Sequence, residues 1–419
     1  MVLDLTAGRT NIEPVLRLSR YVAPGLIALV LGIRFGTILL VRPAPALDEP
    51  IHLEVTQRFG QGLASLEQLR DYASATGPLF YVLFGNLGAL FSYDLTLLRI
   101  AVFALSLGSL LLFHRILRRL APGRSPMPAV ALLATTPYFA SLAGVFMTEH
   151  LALFLGLAAL LCYLRFRDAG NPLDAALALL FATLSIYTRA YYVFFPAAFF
   201  VTDIVHRPAG RSSLPAANRP PAAHHSSPIA ALLWLLPILA FVPLTMLWRG
   251  LTPPAFQNLY HVGFQWKNLS SILVWTGIVF LPWAWRGLRP WHLLALLAVP
   301  AVLLAPSPGL GVTHTFLRLL PRPVSIAFVC VFGSVGLLWF ARLAGLAGDR
   351  VIRVAAIGTL LLAAGLLVSG PQVYERYLLP GIPLMLICAR PGARPGLALA
   401  WAGLFQLPLA LVHIIHLSA

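Results

Sequence analysis

Runs of about 20 apolar residues recur along the whole of this 419-residue chain, and they constrain its fold more than any other feature. A run of that length matches the number of residues that an α-helix needs to cross a lipid bilayer. Only 11% of the residues are charged, against about 25% in a typical soluble domain. A disordered chain, a basic nucleic-acid-binding domain and an ordinary cytosolic enzyme are therefore excluded. The sequence predicts an all-α polytopic membrane protein.

Thirteen apolar runs are predicted to span the membrane. They are 21–41, 96–116, 127–146, 149–166, 173–187, 190–205, 229–248, 270–285, 291–306, 323–341, 351–369, 377–389 and 396–414. The apolar segment 77–92 is shorter than the usual spanning length of about 20 residues. We therefore predict that 77–92 is an amphipathic helix lying on the membrane surface.

The arginines support this topology. Arg9, Arg17 and Arg20 precede the first span and place the N-terminus inside. Most of the 30 basic residues, all arginine except Lys267, then fall in inner loops, as the positive-inside rule requires. If 77–92 also spanned the membrane, every later loop would invert and the bias would oppose the rule. The formal net charge of +16 is thus mainly topological, and most of the acids fall on the outer face.

The chain is predicted to form a single integral membrane domain over residues 1–419. Its first outer loop, 43–95, collects several acids, which are costly near a bilayer and tend to mark function. An inner loop at 206–228 is rich in Pro, Ala and Ser and is predicted to be flexible. Any chemistry is therefore expected on the outer side, in or near the first outer loop.

An acidic motif, Asp48-Glu49-Pro50-Ile51-His52, directly follows the first span. One carboxylate could remove a proton from a substrate hydroxyl while the other orients that group. On a helix, Glu49 and His52 would share one face. The alternative is a solvated helix start, because Asp is a good N-cap and acids suit the first turn. These residues alone leave both interpretations open.

Further segments in the same order resemble a known family. They are ATGPLFY at 75–81, TPYFASLAGVFMTEHLALFL at 136–155, TRAYYVFFP at 188–196, NLYHVGFQWKNL at 258–269 and ERYLLPGIP at 375–383. A first span, an acidic pair and then a Pro-led surface helix resemble the GT-C membrane glycosyltransferases. With DEPIHLEVTQRF, the chain is most similar to the dolichyl-phosphate-glucose-dependent alpha-1,2-glucosyltransferases. The resemblance implies a GT-C-type bundle of about thirteen transmembrane helices with two surface helices in the first outer loop.

The chain departs from that family at two places. An Asn-Arg-His-Tyr run is represented only loosely by His314 to Arg318, and the Gln-Thr-Asn expected after Arg189 is replaced by Ala190-Tyr191-Tyr192. The resemblance therefore fixes neither the sugar nor the acceptor.

The resemblance implies an inverting transfer with Asp48 as the general base and Glu49 as the alternative base or a positioning group. The other expected donor- or substrate-binding residues are His52, Glu149, Arg189, His261, Gln265, Lys267, His314, Arg318, Glu375, Arg376 and Tyr377. Arginine can hold a phosphate by paired hydrogen bonds, and lysine acts as a point charge. The alternative for such cations is snorkelling to lipid headgroups, and for the histidines it is interfacial packing.

The expected activity is transfer of a hexose, with glucose favoured, from a polyprenyl-phosphate sugar to a lipid-linked or cell-envelope glycan. The partners are then that donor, a glycan or glycolipid acceptor and the bilayer, without nucleic acid. No cofactor is required; a divalent cation held by Asp48, Glu49 and Glu149 is the alternative. Heavy use of Arg, Ala, Gly and Pro suggests a bacterial plasma membrane, with the site facing the periplasm or exterior. A transporter or flippase of a lipid-linked sugar, and a scaffold subunit without catalysis, are the competing interpretations.

Overall fold

The computed structural model describes residues 12–62, 64–205, 228–259, 266–284, 321–349, 352–368, 375–390 and 394–418. Within those ranges the regular structure is helical, as the sequence predicts. Five helices are long and apolar enough to cross a membrane: Tyr21–Val41, Leu95–Leu120, Glu149–Ala169, Arg322–Leu346 and Pro395–Leu417. There are six further apolar helices of 10–17 residues. Five lie at predicted spans, and the sixth, Leu79–Leu90, lies in the segment 77–92 that was predicted to be a surface helix. The predicted number of thirteen spans is not confirmed, and the run 291–306 lies outside the described residues.

The helices are numbered in chain order. The first ten are α1 Ile12–Gly36, α2 Glu49–Phe59, α3 Leu66–Arg70, α4 Leu79–Leu90, α5 Leu95–Leu120, α6 Met127–Thr135, α7 Pro137–Leu142, α8 Glu149–Ala169, α9 Pro172–Thr188 and α10 Phe194–Val205. They are followed by α11 Pro228–Ala231, α12 Leu236–Trp248, α13 Trp266–Ala284, α14 Arg322–Leu346, α15 Arg353–Val368, α16 Gly381–Ala389, α17 Pro395–Trp401 and α18 Leu407–Ser418. A π-helical turn, Thr37–Val41, extends α1, and short 3-10 helices include Ala190–Val193 and Glu375–Leu378.

The first outer loop folds into α2, α3 and α4. Pro50 lies in the first turn of α2, where its missing N–H costs nothing. Helix α4 approaches the end of α2 closely, because a Cβ on Gly85 would lie 2.8 Å from the backbone nitrogen of Gly60. Two helices in this loop were expected. The short α3, closed by a capping box between Ser65 and Gln68, is an addition.

The predicted span over 127–146 does not form one continuous helix. The chain instead forms α6 and α7, which are broken between Thr136 and Pro137. Proline lacks the N–H that would continue the helix and pushes the preceding residue out of the helical region, and Thr136 has ψ 129°. Residues 143–148 then run without helix into α8, and Gly144 adopts a φ of +89° there. The non-helical segment 143–148 brings the start of α8 to the first outer loop, where the Phe146 N–H bonds to Glu49.

The predicted span over 377–389 is also shorter than expected. The 3-10 helix Glu375–Leu378 precedes α16, which has only nine residues. At 1.5 Å per residue α16 is about 14 Å long, well short of a bilayer core of about 30 Å. All nine residues of α16 are buried, so α16 is a core helix that supports the segment before it.

Close backbone packing holds the last third of the described chain together. Helices α13 and α14 approach each other at two glycines, since a Cβ on Gly277 would lie 1.8 Å from the Phe332 carbonyl oxygen. A Cβ on Gly336 would lie 1.9 Å from the Leu273 carbonyl oxygen. Small residues at such contacts are how membrane helices gain packing without a hydrophobic driving force between them.

Candidate active site

The candidate site forms where four stretches of the chain meet: the start of α2, the start of α8, the turn after α9 and the 3-10 helix Glu375–Leu378. Asp48 stands at the N-cap of α2, but its side chain makes no capping hydrogen bond. Its carboxylate pairs instead with Nη2 of Arg376 at 2.9 Å, and the Asp48 side chain is 44% exposed. Asp48 is therefore an accessible carboxylate held beside a cation.

Glu49 is in the opposite environment, with no exposed surface. Its two oxygens receive Nε and Nη2 of Arg99 at 2.9 and 2.6 Å. They also accept the backbone N–H groups of Ala46, at 2.8 Å, and Phe146, at 2.6 Å. Arg99 in turn donates to backbone carbonyls at 43 and 44. The carboxylate of Glu49 is thus engaged by four donors and ties the outer loop to α5 and to the segment before α8.

Glu149, the first residue of α8, is buried between two cations. Its Oε1 accepts a hydrogen bond from Nη2 of Arg189 and lies 3.6 Å from Nε of Arg376. Asp48, Arg376, Glu149 and Arg189 therefore form a row of alternating charges. The row joins one half-exposed carboxylate to one buried carboxylate through the guanidinium of Arg376.

Both arginines of this row stay charged. Burial alone lowers the pKa of Arg189 and of Arg376. The Glu149 carboxylate, nearby tyrosines and, at Arg376, Asp48 together more than offset this effect. The net pKa of each guanidinium lies above the usual arginine value. The ring of Tyr377 packs against both, with its centroid 5.8 Å from the Arg189 guanidinium carbon and 5.6 Å from that of Arg376.

His52 lies one turn into α2, behind the charged row. Its Nδ1 is 2.7 Å from the hydroxyl of Tyr81, which also contacts Ser74 and Thr76. Burial lowers the pKa of His52 to about 4, so the imidazole is neutral near pH 7. The charges of Glu149, Arg189, Asp48 and Arg376 all act on this ring.

The turn at Gly77 connects the hydroxyl-bearing residues Ser74, Thr76 and Tyr81 to Arg189. The Gly77 N–H donates to the Thr188 carbonyl at 3.1 Å. A Cβ on Gly77 would lie 2.0 Å from the Tyr187 carbonyl oxygen, so only glycine allows this approach. The segment that carries Arg189 therefore rests on the backbone of the first outer loop.

The structure brings seven of the expected site residues into one neighbourhood: Asp48, Glu49, His52, Glu149, Arg189, Arg376 and Tyr377. His261, Gln265, His314 and Arg318 lie outside the described residues. For Lys267 and Glu375 the structure describes only the helical backbone.

Sequence reasoning missed Arg99 as the partner of Glu49. A signal was present, because an arginine inside an apolar run requires a buried partner, and the preceding outer loop holds the acid pair Asp48 and Glu49. The hydroxyls of Ser74, Thr76 and Tyr81 were also missed. No charge or spacing marks these residues, so their convergence follows only from the packing of α2 against α4.

The carboxylates do not gather into a metal site. Each of Asp48, Glu49 and Glu149 faces an arginine. In the part of the chain that the structure describes, no group of three or more His, Cys, Asp or Glu residues is placed to hold a metal ion. Because an arginine lies beside each carboxylate, the site suits an anion better than a divalent cation.

No family model matches the chain, and no curated protein matches it. Among solved structures, the chain is similar to ArnT from Cupriavidus metallidurans bound to undecaprenyl phosphate, with 15% sequence identity and a TM-score of 0.43. That likeness covers 91% of this chain and 77% of ArnT. The apo state of the same protein matches with 14% identity and a TM-score of 0.40, over 92% of this chain and 78% of that one. Because these values are low, the function has to follow from the chemistry of the site.

Proposed function

We propose that this protein is an inverting membrane glycosyltransferase of the GT-C type. It moves a hexose, with glucose favoured, from a polyprenyl-phosphate sugar to a lipid-linked or cell-envelope glycan on the outer face of a bacterial plasma membrane. The observation that carries the proposal is the half-exposed carboxylate of Asp48, held 2.9 Å from Nη2 of Arg376, whose neighbour across Glu149 is the buried Arg189. A base beside phosphate-binding cations is what transfer from a sugar phosphate requires.

In the proposed reaction Asp48 accepts the proton of the acceptor hydroxyl. The hydroxyl oxygen then forms a bond to the anomeric carbon of the sugar. The bond between that carbon and the phosphate oxygen breaks on the opposite face, so the configuration inverts and the electron pair stays on the phosphate. Arg376 and Arg189 stabilise this charge, because guanidinium groups pair with phosphate oxygens through two parallel hydrogen bonds. No cofactor is needed, since a phosphate is already a good leaving group.

Asp48, not Glu49, is the proposed base. Both oxygens of Glu49 are occupied by Arg99 and by two backbone N–H groups. With four donors on its two oxygens, this carboxylate has no free position for a substrate hydroxyl. Glu49 then acts as the positioning group that holds the turn carrying Asp48. The remaining expected contacts to donor and acceptor, namely His52, Glu149, His261, Gln265, Lys267, His314, Arg318, Glu375 and Tyr377, stay part of the proposal.

The test is Asp48→Asn, which keeps the shape of the side chain and removes the base. Removing a general base is expected to lower kcat by about 10² to 10⁴-fold. The measurement is transfer of radiolabel from synthetic polyprenyl-phosphate-glucose to acceptor lipids by the purified protein in detergent. The thermal unfolding temperature of the variant should stay close to that of the native chain, because Asp48 is half exposed.

Asp71→Asn is the matched control, since Asp71 is an exposed aspartate in the same loop that lies outside the site. Full transfer by the Asp48→Asn variant would remove Asp48 as the base. In sealed vesicles, movement of labelled donor across the membrane without transfer would favour the flippase interpretation instead.

A further inference from the structure

A cluster of three buried hydroxyls, Ser74, Thr76 and Tyr81, lies against His52 and is called here the hydroxyl cluster. The Tyr81 oxygen is its centre, at 2.5 Å from Ser74 Oγ, 2.9 Å from Thr76 Oγ1 and 2.7 Å from His52 Nδ1. Three polar contacts to one buried hydroxyl form a defined network, and such a network fixes the direction of each hydrogen bond.

Counting protons assigns those directions. A tyrosine hydroxyl has one proton and two lone pairs, and the Tyr81 proton is donated to Ser74 Oγ. The other two contacts must then be donated to the Tyr81 oxygen, one by Thr76 and one by His52. His52 therefore carries its proton on Nδ1.

A neutral imidazole has a single N–H, so Nε2 of His52 is left as a hydrogen-bond acceptor. Nε2 lies on the other edge of the ring from the atom that contacts Tyr81. Among the described residues it has no hydrogen-bond partner. His52 lies one helical turn after Asp48, because its backbone N–H donates to the Asp48 carbonyl at 2.9 Å. The charged residues of the site, Asp48, Glu149, Arg189 and Arg376, all act on its ring.

We propose that the hydroxyl cluster locks His52 in the Nδ1–H tautomer, so that Nε2 accepts a hydrogen bond from a hydroxyl of the sugar substrate. The chemistry suits a sugar, because a neutral nitrogen can accept a hydrogen bond from a hydroxyl. Being uncharged, it repels neither the phosphate of the donor nor the carboxylate of the base. His52 is then a binding residue, and Tyr81 is the positioning residue behind it. The substrate part rests on the proposed transferase function, whereas the tautomer part does not.

The tautomer can be measured without any activity. With histidine labelled by ¹⁵N in the ring, NMR of the protein in detergent distinguishes a protonated from an unprotonated nitrogen at each position. The His52 signal is identified by its loss in His52→Asn. We expect the native chain to show the proton on Nδ1 and Tyr81→Phe to show a mixture of both tautomers. Tyr93→Phe is the matched control, because it removes a hydroxyl that bonds to Gly85 on the same helix and should leave the His52 signal unchanged.

Two substitutions separate the two edges of the ring. Asparagine in His52→Asn can still donate to Tyr81 from the Nδ1 position, but it has nothing in place of Nε2. Glutamine in His52→Gln brings an oxygen near the Nε2 position and loses the donor to Tyr81. We expect His52→Asn to keep its thermal stability and to lose roughly tenfold in kcat/KM, the value of one neutral hydrogen bond. His52→Gln should retain more activity than His52→Asn despite a lower unfolding temperature.

A native His52 protonated on Nε2, or a tautomer unchanged by Tyr81→Phe, would overturn the tautomer part. Full activity in His52→Asn would overturn the substrate part. If no transfer is found in any variant while the Nδ1–H tautomer is seen, the proposed function fails and the tautomer lock stands.

Discussion

Asp48 and Glu49 are neighbours in the chain with different physical roles. Asp48 has 44% of its side chain exposed and one arginine partner. Glu49 has none exposed, and four donors fill its oxygens. A buried carboxylate must be fully paired to stay charged. The half-exposed one, with a single arginine partner, remains accessible to a substrate.

The pair of Glu49 and Arg99 predicts a strong effect of removing one partner. The Arg99 side chain is only 4% exposed. Glu49→Gln therefore leaves a buried guanidinium without its counter-charge. Breaking a buried ion pair in this way costs about 3–5 kcal/mol. The measurement is the thermal unfolding temperature in detergent, which should fall well below that of the native chain.

The double substitution Glu49→Gln with Arg99→Met is the matched comparison. It removes the unpaired guanidinium and keeps a side-chain oxygen for one of the two backbone N–H groups that bond to residue 49. The double variant should therefore be more stable than Glu49→Gln alone. Equal stability of Glu49→Gln and the native chain would show that the pair does not hold the loop.

His52 predicts a dependence of stability on pH. Burial lowers the pKa of His52 to about 4 in the folded protein, against an ordinary value of 6.5. Between these values the unfolded chain binds a proton that the folded chain does not, so stability is complete above pH 6.5 and falls as the pH drops towards 4. The full loss corresponds to about 3 kcal/mol at 1.36 kcal/mol per pKa unit.

Unfolding temperatures of the native chain and of His52→Asn, measured from pH 7.5 to 4, check this. The native chain should lose more stability over that range than the variant. Other buried histidines, such as His150 and His413, contribute equally to both proteins and cancel in the difference. Parallel curves would contradict the depressed pKa of His52.

At the scale of elements, the site depends on non-helical segments more than on the spans. Residues 143–148 follow the break at Pro137 and are fixed by two long-range hydrogen bonds. Nε of Arg34 donates to the Ala143 carbonyl at 2.8 Å, and the Phe146 N–H donates to Glu49 at 2.6 Å. Buried backbone groups outside helices need such partners. The non-helical segment between α7 and α8 is thus stabilised by side chains of α1 and α2.

The turn at Gly77 predicts that Gly77→Ala disturbs the site. The new Cβ would lie 2.0 Å from the Tyr187 carbonyl oxygen, so the turn leading to Arg189 must move. Overpacking of this kind costs about 1–3 kcal/mol, and misplacing a binding group by about 1 Å can cost about 10²-fold in rate. We expect both a lower unfolding temperature and lower transfer activity.

Gly32→Ala is the control, because a Cβ there would meet no atom within 4 Å. It lies in α1 and should be neutral or slightly stabilising, since alanine favours a helix over glycine. If Gly77→Ala behaves like Gly32→Ala, the turn does not position Arg189.

At the scale of the whole molecule, the predicted topology puts the first outer loop and the inner loop 206–228 on opposite sides of the membrane. In a variant whose Cys162, Cys330 and Cys388 are replaced by alanine, single cysteines report on each side. Glu67→Cys should react with an impermeant maleimide added to intact cells. Ser212→Cys should react only in inverted vesicles. The reverse pattern would place the site on the cytoplasmic face.

The sequence predicted what depends on local composition. The helical class and the five long apolar helices follow from runs of apolar residues, and the position of Asp48 and Glu49 follows from the end of the first run. Which of these acids is buried and which is exposed could not be predicted, because this depends on which of them pairs with Arg99 in the folded chain. The short α16 was misread as a span, since a buried core helix is as apolar as one in lipid.

The order of the ion-pair partners along the chain also has a consequence for how the chain is synthesised. Glu49 bonds to an arginine 50 residues later, and Glu149 to one 40 residues later, so the partner of each buried acid is synthesised soon after the acid itself. Arg376 comes from a far later segment, and it pairs with the half-exposed Asp48. A nascent chain that has not yet reached Arg376 can keep this carboxylate hydrated. When Arg376 is added to the chain and completes the site, Glu49 and Glu149 therefore already have their arginine partners in the chain.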